Sequence, residues 1–274
     1  MNNHDYYYYS KEELLKNPKI PLVLMDTNDT IFQSIADEMV EEIERKNQAN
    51  ETTVFICPVG PVGQYPYFVQ LVNERNISLK NVWFINMDEY LDENKQWIPK
   101  EHKLSFRGFM DRNVYSQIKP ELVMPENQRI FPDPNNVEYI PNLIEELGGV
   151  DICFGGIGIN GHVAFNEPQE ELTPEEFLQL KTRVRDIAPE TRAVNSIGDL
   201  NGGLDDMPKY CVTIGIYEIN SARKIRLGCF RDWHRSVVRH AAYGEPSSHF
   251  PITLLQNHKD INIKFSEFVA NLNG

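Results

Sequence analysis

The sequence predicts an α/β protein with a mostly parallel sheet that helices cover on both faces. Short apolar runs rich in β-branched and aromatic residues alternate along the chain with segments whose apolar residues recur every three or four positions. Several of the apolar runs end in Gly, Pro or acidic residues, as strands do when they lead into loops. Strands that alternate with helices at this pace indicate a mostly parallel sheet.

Six apolar runs are predicted strands. These are residues 21–26, 52–60, 81–91, the beginning of 150–165, 209–216 and 224–230. After the first strand, apolar residues recur every four positions, which predicts a helix with one buried face, capped by Asn28 or Asp29. The apolar residues of this face are Ile31, Ile35, Met39 and Ile43. Further helices are predicted at 65–75 and at 236–244, where Gly244 ends the helix.

Two polar segments are candidate lids, with a plain surface insertion as the alternative for each. Residues 172–186 predict a surface helix, because Thr173 can cap it, Pro174 fits its first position and Glu176 completes a capping box. It follows a glycine-rich turn, which places the lid at about 169–188. Residues 91–106 form a second polar excursion.

The composition excludes several classes of protein. The chain has 274 residues, 41% of them hydrophobic, which is enough for a sizeable core and excludes disordered and collagen-like proteins. With 27 Lys and Arg against 40 Asp and Glu, its net charge of −13 argues against nucleic-acid or anionic-membrane partners. No run is long enough to span a membrane and the first residues lack an apolar signal core, so we expect a cytoplasmic protein.

The domain organisation is predicted to be simple. Residues 1–20 contain four consecutive tyrosines and form an N-terminal arm that packs on the body or on a neighbouring subunit, and residues 21–274 form one α/β domain. The cysteines are far apart in sequence and are expected to be buried free thiols. They are Cys57, Cys153, Cys211 and Cys229.

Three loops that follow predicted strands carry the candidate chemistry, because ligands of parallel sheets bind where the strands end. Residues 58–63 are glycine-rich and precede a helix, so they can present backbone N–H groups to an anion, although a simple tight turn is the alternative. The second loop carries Asp88 and Glu89, of which only one can readily enter a given pocket, since neighbours on a strand point to opposite faces.

The third loop, residues 155–168, places four glycines within seven residues beside His162. Asn160 and Glu167 lie two residues before and five after this histidine, near enough to orient or charge-tune its imidazole. There is no G-x-S-x-G elbow for a serine hydrolase and no HExxH spacing for zinc. An acid–base histidine is therefore the hypothesis for this loop.

Four blocks together resemble the glucosamine-6-phosphate deaminase family over about residues 21–265. They are NMDEYL (86–91), GGIGINGHVAFNEP (155–168), ETRAVNS (190–196) and PKYCVTIGI (208–216). The resemblance implies a Rossmann-like α/β fold and aldose-to-ketose isomerisation of an amino-sugar phosphate with release of ammonia. It further implies that Asp88 moves a proton between C2 and C1, that His162 opens the sugar ring, and that Glu167 supports His162. No metal or organic cofactor is implied.

The chain departs from the family pattern at the histidine and at the phosphate site. Asn160 stands where Asp is common, and an amide oxygen can still accept the imidazole N–H. In the phosphate loop, Val59 and Val62 replace two threonines beside Gly60 and Pro61, and Ile197 replaces an arginine. The family's lysine has no clean equivalent; His234 or Arg235 falls nearest, and Arg231 is a further candidate for substrate binding.

Three explanations of this altered phosphate site stay open. The phosphate is held by relocated cations such as Arg231, Arg235, Arg183 or Arg185; the substrate lacks a phosphate; or catalysis has been lost. The leading hypothesis is an isomerase or deaminase of this family that acts on a sugar or amino sugar, with or without a phosphate. The alternatives are a lactonase similar to 6-phosphogluconolactonases and a non-catalytic sugar-binding module. Family members are often hexamers, so a homo-oligomer is also an open alternative.

Overall fold

The computed structural model describes residues 4–272. Its strands are β1 (Leu22–Met25), β2 (Thr53–Cys57), β3 (Val82–Asn86), β4 (Asp88–Leu91), β5 (Arg129–Ile130), β6 (Ile152–Gly156), β7 (Arg183–Asp186), β8 (Tyr210–Thr213), β9 (Lys224–Cys229) and β10 (Ile261–Ser266). Its α-helices are α1 (Lys11–Leu14), α2 (Asn28–Ala49), α3 (Gln64–Arg75), α4 (Phe106–Asn113), α5 (Tyr139–Glu146), α6 (Pro174–Phe177), α7 (Pro189–Asp199), α8 (Ile216–Asn220), α9 (His234–Tyr243) and α10 (Glu267–Ala270).

Seven strands form a parallel sheet in the order β1-β10-β9-β6-β2-β3-β5. The central strands are apolar along most of their length, and all residues of β2 are buried. Such strands can sit only inside a sheet that is covered on both faces. The predicted α/β class with a mostly parallel sheet is therefore confirmed.

Helices α2 and α3 cover one face of this sheet. The four residues predicted to face the core from α2 are each at most 3% exposed: Ile31, Ile35, Met39 and Ile43. The predicted cap was wrong by one or two residues, because Thr27 is the residue before the helix. Its hydroxyl accepts from the N–H of Thr30, and the Thr30 hydroxyl accepts from the N–H of Thr27.

A second sheet of three antiparallel strands, β4-β8-β7, was not predicted. Residues 81–91 do not form one strand. The N–H of Met87 still donates to the carbonyl of Cys57 in the large sheet, and the chain leaves that sheet after Met87. Asp88 then begins β4 and pairs with Thr213 of β8. The break moves the two carboxylates that follow β3 from the large sheet to the small one.

The helix predicted over 172–186 is also wrong in its second half. Its start is as predicted, since Thr173 caps α6 and forms a capping box with Glu176, but α6 ends at Phe177. The end of the segment is strand β7, in which Arg183 pairs with Thr213 of β8. Pairing with β8 outweighs the local preference of the segment for helix.

Residues 4–20 pack on the body of the protein. The hydroxyl of Tyr7 lies 2.7 Å from Nδ1 of His240, and Arg239 donates from Nε to the carbonyl of Tyr9 at 2.9 Å. Leu14 and Ile20 are fully buried in the same core as the sheet. Residues 1–3 of the predicted arm lie outside the described residues, and the division of the chain at residue 20 stays a prediction.

Candidate functional site

A cavity of about 360 Å³ opens at the carboxyl ends of four neighbouring strands, β9, β6, β2 and β3. The loops that follow these strands form most of its wall, together with the segment before α4 and one face of α7. Its polar and charged lining side chains are Asp88, Lys103, Ser105, His162, Asn195, Asp199, Arg231 and His234. The convergence of the three predicted loops on one cavity follows from parallel strand order.

His162 lies in this cavity within a network of hydrogen bonds. Its Nδ1 atom is 2.7 Å from Oδ1 of Asn160 and 3.1 Å from Oε2 of Glu167. Asn160 donates from Nδ2 to Glu167 at 2.6 Å and to Glu190 at 2.9 Å, which fixes the orientation of its amide. Because both acceptors at Nδ1 are oxygens without protons, Nδ1 carries the proton. Nε2 has no hydrogen-bond partner among the described residues.

Glu167 is buried, yet it is an anion. Burial alone raises the pKa of its carboxyl, but the neighbouring charge of His162 and hydrogen bonds from His162, Asn160 and Thr191 lower the pKa to about 2. Thr191 lies on α7 and donates to Oε2 of Glu167 at 3.2 Å. The network therefore contains a buried negative charge 3.1 Å from Nδ1 of His162.

Two glycines make room for the loop that carries His162. Gly158 packs directly beneath the imidazole, where a Cβ atom would overlap the ring. Gly161 has a φ of +82° and is covered by the ring of Phe250, and the N–H of Ile252 donates to its carbonyl at 2.8 Å. The Phe250 ring is stacked in turn on His240, with 3.8 Å between centroids. The loop is thus supported from behind by packed aromatic rings.

Asp88 and Glu89 point in opposite directions, as the alternation of a strand requires. Asp88 lines the cavity, and its carboxyl has no hydrogen-bond partner among the described residues. Burial, and to a smaller extent the charge of Glu89, raises the pKa of Asp88 well above its ordinary value. A carboxyl whose pKa is raised is a stronger base than an ordinary aspartate, as a group that takes and returns a proton must be.

Glu89, in contrast to Asp88, does not line the cavity, and its hydrogen bonds give it a structural role. It is fully buried and accepts hydrogen bonds from the backbone N–H groups of Phe106 and Arg107, the hydroxyl of Ser105 and the guanidinium of Arg107. These bonds attach the end of the polar excursion 91–106 to strand β4.

Of the two candidate lids, the segment 91–106 lines the cavity, with Lys103, Leu104, Ser105 and Phe106. No described residue of 169–188 does so, and its assignment as a lid stays a prediction.

The loop 58–63 lines the cavity where the phosphate site was expected. Val59, Gly60, Pro61 and Val62 all contribute to the wall, and a side chain added at Gly60 would meet open space. Among the described residues, the N–H groups of Val59, Gly60 and Val62 have no hydrogen-bond acceptor. The loop offers backbone donors but no hydroxyl or charge.

The candidate cations lie in different environments. Arg231 lines the cavity, and its guanidinium makes no hydrogen bond or ion pair with a described residue. Arg235 does not line the cavity, because it pairs with Asp232 at 2.8 Å and lies over the ring of Phe268. Arg183 and Arg185, on β7, are also outside the cavity wall.

His234 lines the cavity but is not a cation. Its Nδ1 accepts from the N–H groups of Phe230 and Arg231, both at 2.8 Å, and its Nε2 donates to the carbonyl of Ile157 at 3.0 Å. Burial and the nearby charge of Arg231 lower its pKa to about 3, although the bond to Ile157 acts in the other direction. His234 therefore holds two loops together in its neutral form.

Sequence reasoning missed five polar residues of the site. They are Lys103, Ser105, Thr191, Asn195 and Asp199. The last three lie four residues apart on α7, and this spacing is a signal that could have been found once a helix was assigned to 190–199. Lys103 carried no signal in the sequence, because an exposed lysine in a polar loop is ordinary. Within residues 4–272, no group of three His, Cys, Asp or Glu side chains is placed to hold a metal ion.

Known proteins resemble the chain over nearly its full length. A glucosamine-6-phosphate deaminase of Porphyromonas gingivalis is 30% identical over 246 residues, which is 87% of this chain and 88% of that protein. A glucosamine-6-phosphate deaminase of Clostridium perfringens is 29% identical over 259 residues, or 92% of this chain and 98% of that protein. No protein-family model matches the chain.

Solved structures show the same fold. A monomeric glucosamine-6-phosphate deaminase superposes with a TM-score of 0.80 at 24% identity, covering 93% of this chain and all of that one. A 6-phosphogluconolactonase from Trypanosoma cruzi gives a TM-score of 0.64 at 17% identity, with 93% and 97% covered. The chain thus has the α/β fold that these deaminase and lactonase structures share. By its likeness in sequence, it belongs to the glucosamine-6-phosphate deaminase family.

No helix among residues 4–272 combines the length and the apolar character that crossing a bilayer requires.

Proposed function

We propose that the protein is an aldose–ketose isomerase and deaminase that acts on an amino-sugar phosphate similar to glucosamine 6-phosphate, or on a closely related sugar. The observation that supports this most is the meeting of Asp88 and His162 in one cavity, from the ends of different strands. The similar proteins of Porphyromonas and Clostridium carry the name of this activity.

His162 opens the sugar ring in this proposal. Asn160 and Glu167 hold the proton on Nδ1, so Nε2 faces the cavity and exchanges the second proton of the imidazolium. This proton passes to the ring oxygen, the bond between C1 and the ring oxygen breaks, and the C1 hydroxyl gives its own proton to Nε2, which restores the imidazolium. The anion of Glu167 stabilises the imidazolium that donates.

Asp88 then moves a proton along the open chain. It takes the proton from C2 while the imidazolium of His162 protonates the C1 oxygen, which leaves an enolamine between C1 and C2. Asp88 then returns its proton to C1 and the amino group gives one proton back to His162, so that C1 becomes an alcohol and C2 an imine. Water adds to C2 and ammonia leaves, giving the ketose. The raised pKa of Asp88 suits a group that must both accept and release this proton.

Incubation of the purified protein with glucosamine 6-phosphate and with glucosamine tests the proposal, with ammonia and ketose measured in parallel. Asp88→Asn should lower kcat by roughly 10²- to 10⁴-fold, since that is the usual contribution of a positioned acid–base group. Asp111→Asn, an exposed acid that pairs with Lys100, is the matched control and should leave kcat unchanged. If lactone hydrolysis were found without ammonia or ketose, the lactonase alternative would replace this proposal.

A further inference from the structure

We propose that Lys103 and Arg231 together form the subsite that recognises an anionic group of the substrate, a phosphate ester in the simplest case, and that Asp199 limits its strength. This inference rests on the proposed function, because it concerns the same cavity. What it adds is the identity of the side chains that supply the charge for the anionic group, and these lie outside the loop 58–63.

Lys103 and Arg231 are the only Lys or Arg side chains that line the cavity among the described residues. Neither one makes a hydrogen bond or an ion pair within 4 Å with a described residue, in contrast to Arg107 or Arg235, whose charges are engaged by Glu89 and Asp232. Arg231 lies beside Phe230, with 5.8 Å to the ring centroid, and its Nη1 is close to Gly198 of α7. Two cations are therefore available to a ligand.

The backbone that carries each cation is fixed by a buried side chain. Lys103 stands two residues before Ser105, which Glu89 holds together with the start of α4. Arg231 has its own N–H bound to the neutral ring of His234, which is anchored to Ile157. Both cations thus extend from rigid ends of segments, which reduces the entropy lost when they bind.

Helix α7 separates this pair from the reacting groups. Thr191 contacts Glu167, Asn195 lines the middle of the cavity, and Asp199 interacts with both Arg231 and Lys103. The first and last of these positions are eight residues apart, so they lie about 12 Å apart along the helix axis. A sugar with C1 and C2 near His162 and Asp88 would carry the anionic group of its far end toward the two cations.

In the family that the chain resembles, the loop equivalent to residues 58–63 carries phosphate-binding side chains. In this chain the loop lacks them. Val59 and Val62 provide no hydroxyl, and Ile197 is 71% exposed. The free N–H groups of this loop can still donate, but they add no full charge. Charge complementarity for a dianion therefore depends on Lys103 and Arg231, which approach from the other walls of the cavity.

Asp199 sets the net charge of this subsite. It lies at the rim beside both cations, which leaves one net positive charge for the three side chains. Replacing it with Asn would leave two. Binding of an anion should then become tighter, whereas binding of an uncharged ligand should change little.

Titration calorimetry with glucosamine 6-phosphate and glucosamine tests this inference without requiring turnover. Lys103→Ala and Arg231→Ala should each weaken binding of the phosphorylated sugar by roughly 10- to 100-fold and leave the free sugar unaffected. Asp199→Asn should tighten the phosphorylated sugar alone. The matched controls are Lys100→Ala and Arg235→Ala, whose parent side chains do not line the cavity. Thermal melting confirms that each variant is folded, and Arg231→Lys keeps the charge if the alanine variant is unstable.

The outcomes separate this inference from the proposed function. Equal affinity of the native protein for the two sugars, or unchanged affinity in both alanine variants, would overturn the subsite, even if ammonia is released. Binding that depends on Lys103 and Arg231 without any ammonia or ketose would support the subsite and overturn the proposed activity.

Discussion

Nδ2 of Asn160 lies 2.6 Å from Oε2 of Glu167, and the same amide reaches Glu190 at 2.9 Å. One neutral side chain thus separates two carboxylates while its oxygen accepts the proton of His162. An aspartate cannot do this, because it has no proton to donate at neutral pH. The departure from the family's common residue has a local structural reason.

Asn160→Asp should therefore destabilise the protein at neutral pH by about 1–3 kcal/mol, because three carboxylates would share one site and two hydrogen bonds would be lost. Urea unfolding at pH 7 and pH 5 measures the effect, which should shrink at the lower pH because the neighbouring carboxylates favour a proton on the new aspartate. In the double variant Asn160→Asp with Glu190→Gln, much of the stability should return. No recovery in the double variant would contradict the charge argument.

Asp88→Asn should raise the thermal stability at neutral pH even as it removes activity. The folded-state pKa of Asp88 is raised, so its carboxyl favours folding below its unfolded pKa, and that contribution is lost as pH rises through the folded pKa. The asparagine does not titrate, so the melting temperatures of the two proteins should diverge in its favour as pH rises above the unfolded pKa of about 4. Between the unfolded and the folded pKa of Asp88, each rise of one pH unit adds about 1.4 kcal/mol to the difference in unfolding free energy. A variant less stable than the native protein at pH 8 would argue against desolvation of Asp88.

Glu167→Gln should have the opposite dependence on pH. The pKa of this carboxyl is lowered to about 2, so its stabilising contribution is present above the unfolded pKa and is lost as pH falls through about 2. The variant should be less stable by at most on the order of 3 kcal/mol at pH 7 and nearly equal to the native protein at the acid limit. Glu170→Gln, a largely exposed acid on the same segment, is the control and should show little effect at either pH.

Gly161→Ala should be more harmful than Gly202→Ala, although both glycines have positive φ, +82° and +90°. The first would press a methyl group into the ring of Phe250, whereas the second meets open space. Gly202→Ala should cost about 1 kcal/mol from the backbone alone, and Gly161→Ala about 1–3 kcal/mol more. Adding Phe250→Ala to Gly161→Ala should relieve the clash; equal costs for the two single variants would exclude it. Chemical unfolding measures the native protein and each of these variants.

Much of the fold and three walls of the site could be predicted from the sequence. The loops 58–63 and 155–168 and the acid Asp88 each follow an apolar run, and parallel strands bring such ends to one edge. The opposite directions of Asp88 and Glu89 follow from strand alternation alone. These inferences depend on neighbours in the chain, which is why one sequence is sufficient for them.

The remaining features depend on contacts between distant segments. Met87 follows the last residue of β3 directly, and no Gly or Pro marks the change of sheet. Strand β7 owes its form to β8, and its four residues are too short for a periodic pattern. The interior position of His234, which makes it a neutral structural group rather than a cation, comes from packing against the loop after β6.

The ring of Phe250 joins the beginning of the chain to the histidine loop. Tyr7 holds His240, His240 stacks on Phe250, and Phe250 covers Gly161, the residue before His162. Residues 4–9 and the loop therefore belong to one cooperative unit, and their amide protons should exchange with solvent together rather than separately. Displacement of Tyr7 by a fusion partner would be transmitted to the imidazole through these packed rings, so an affinity tag is best attached at the other end.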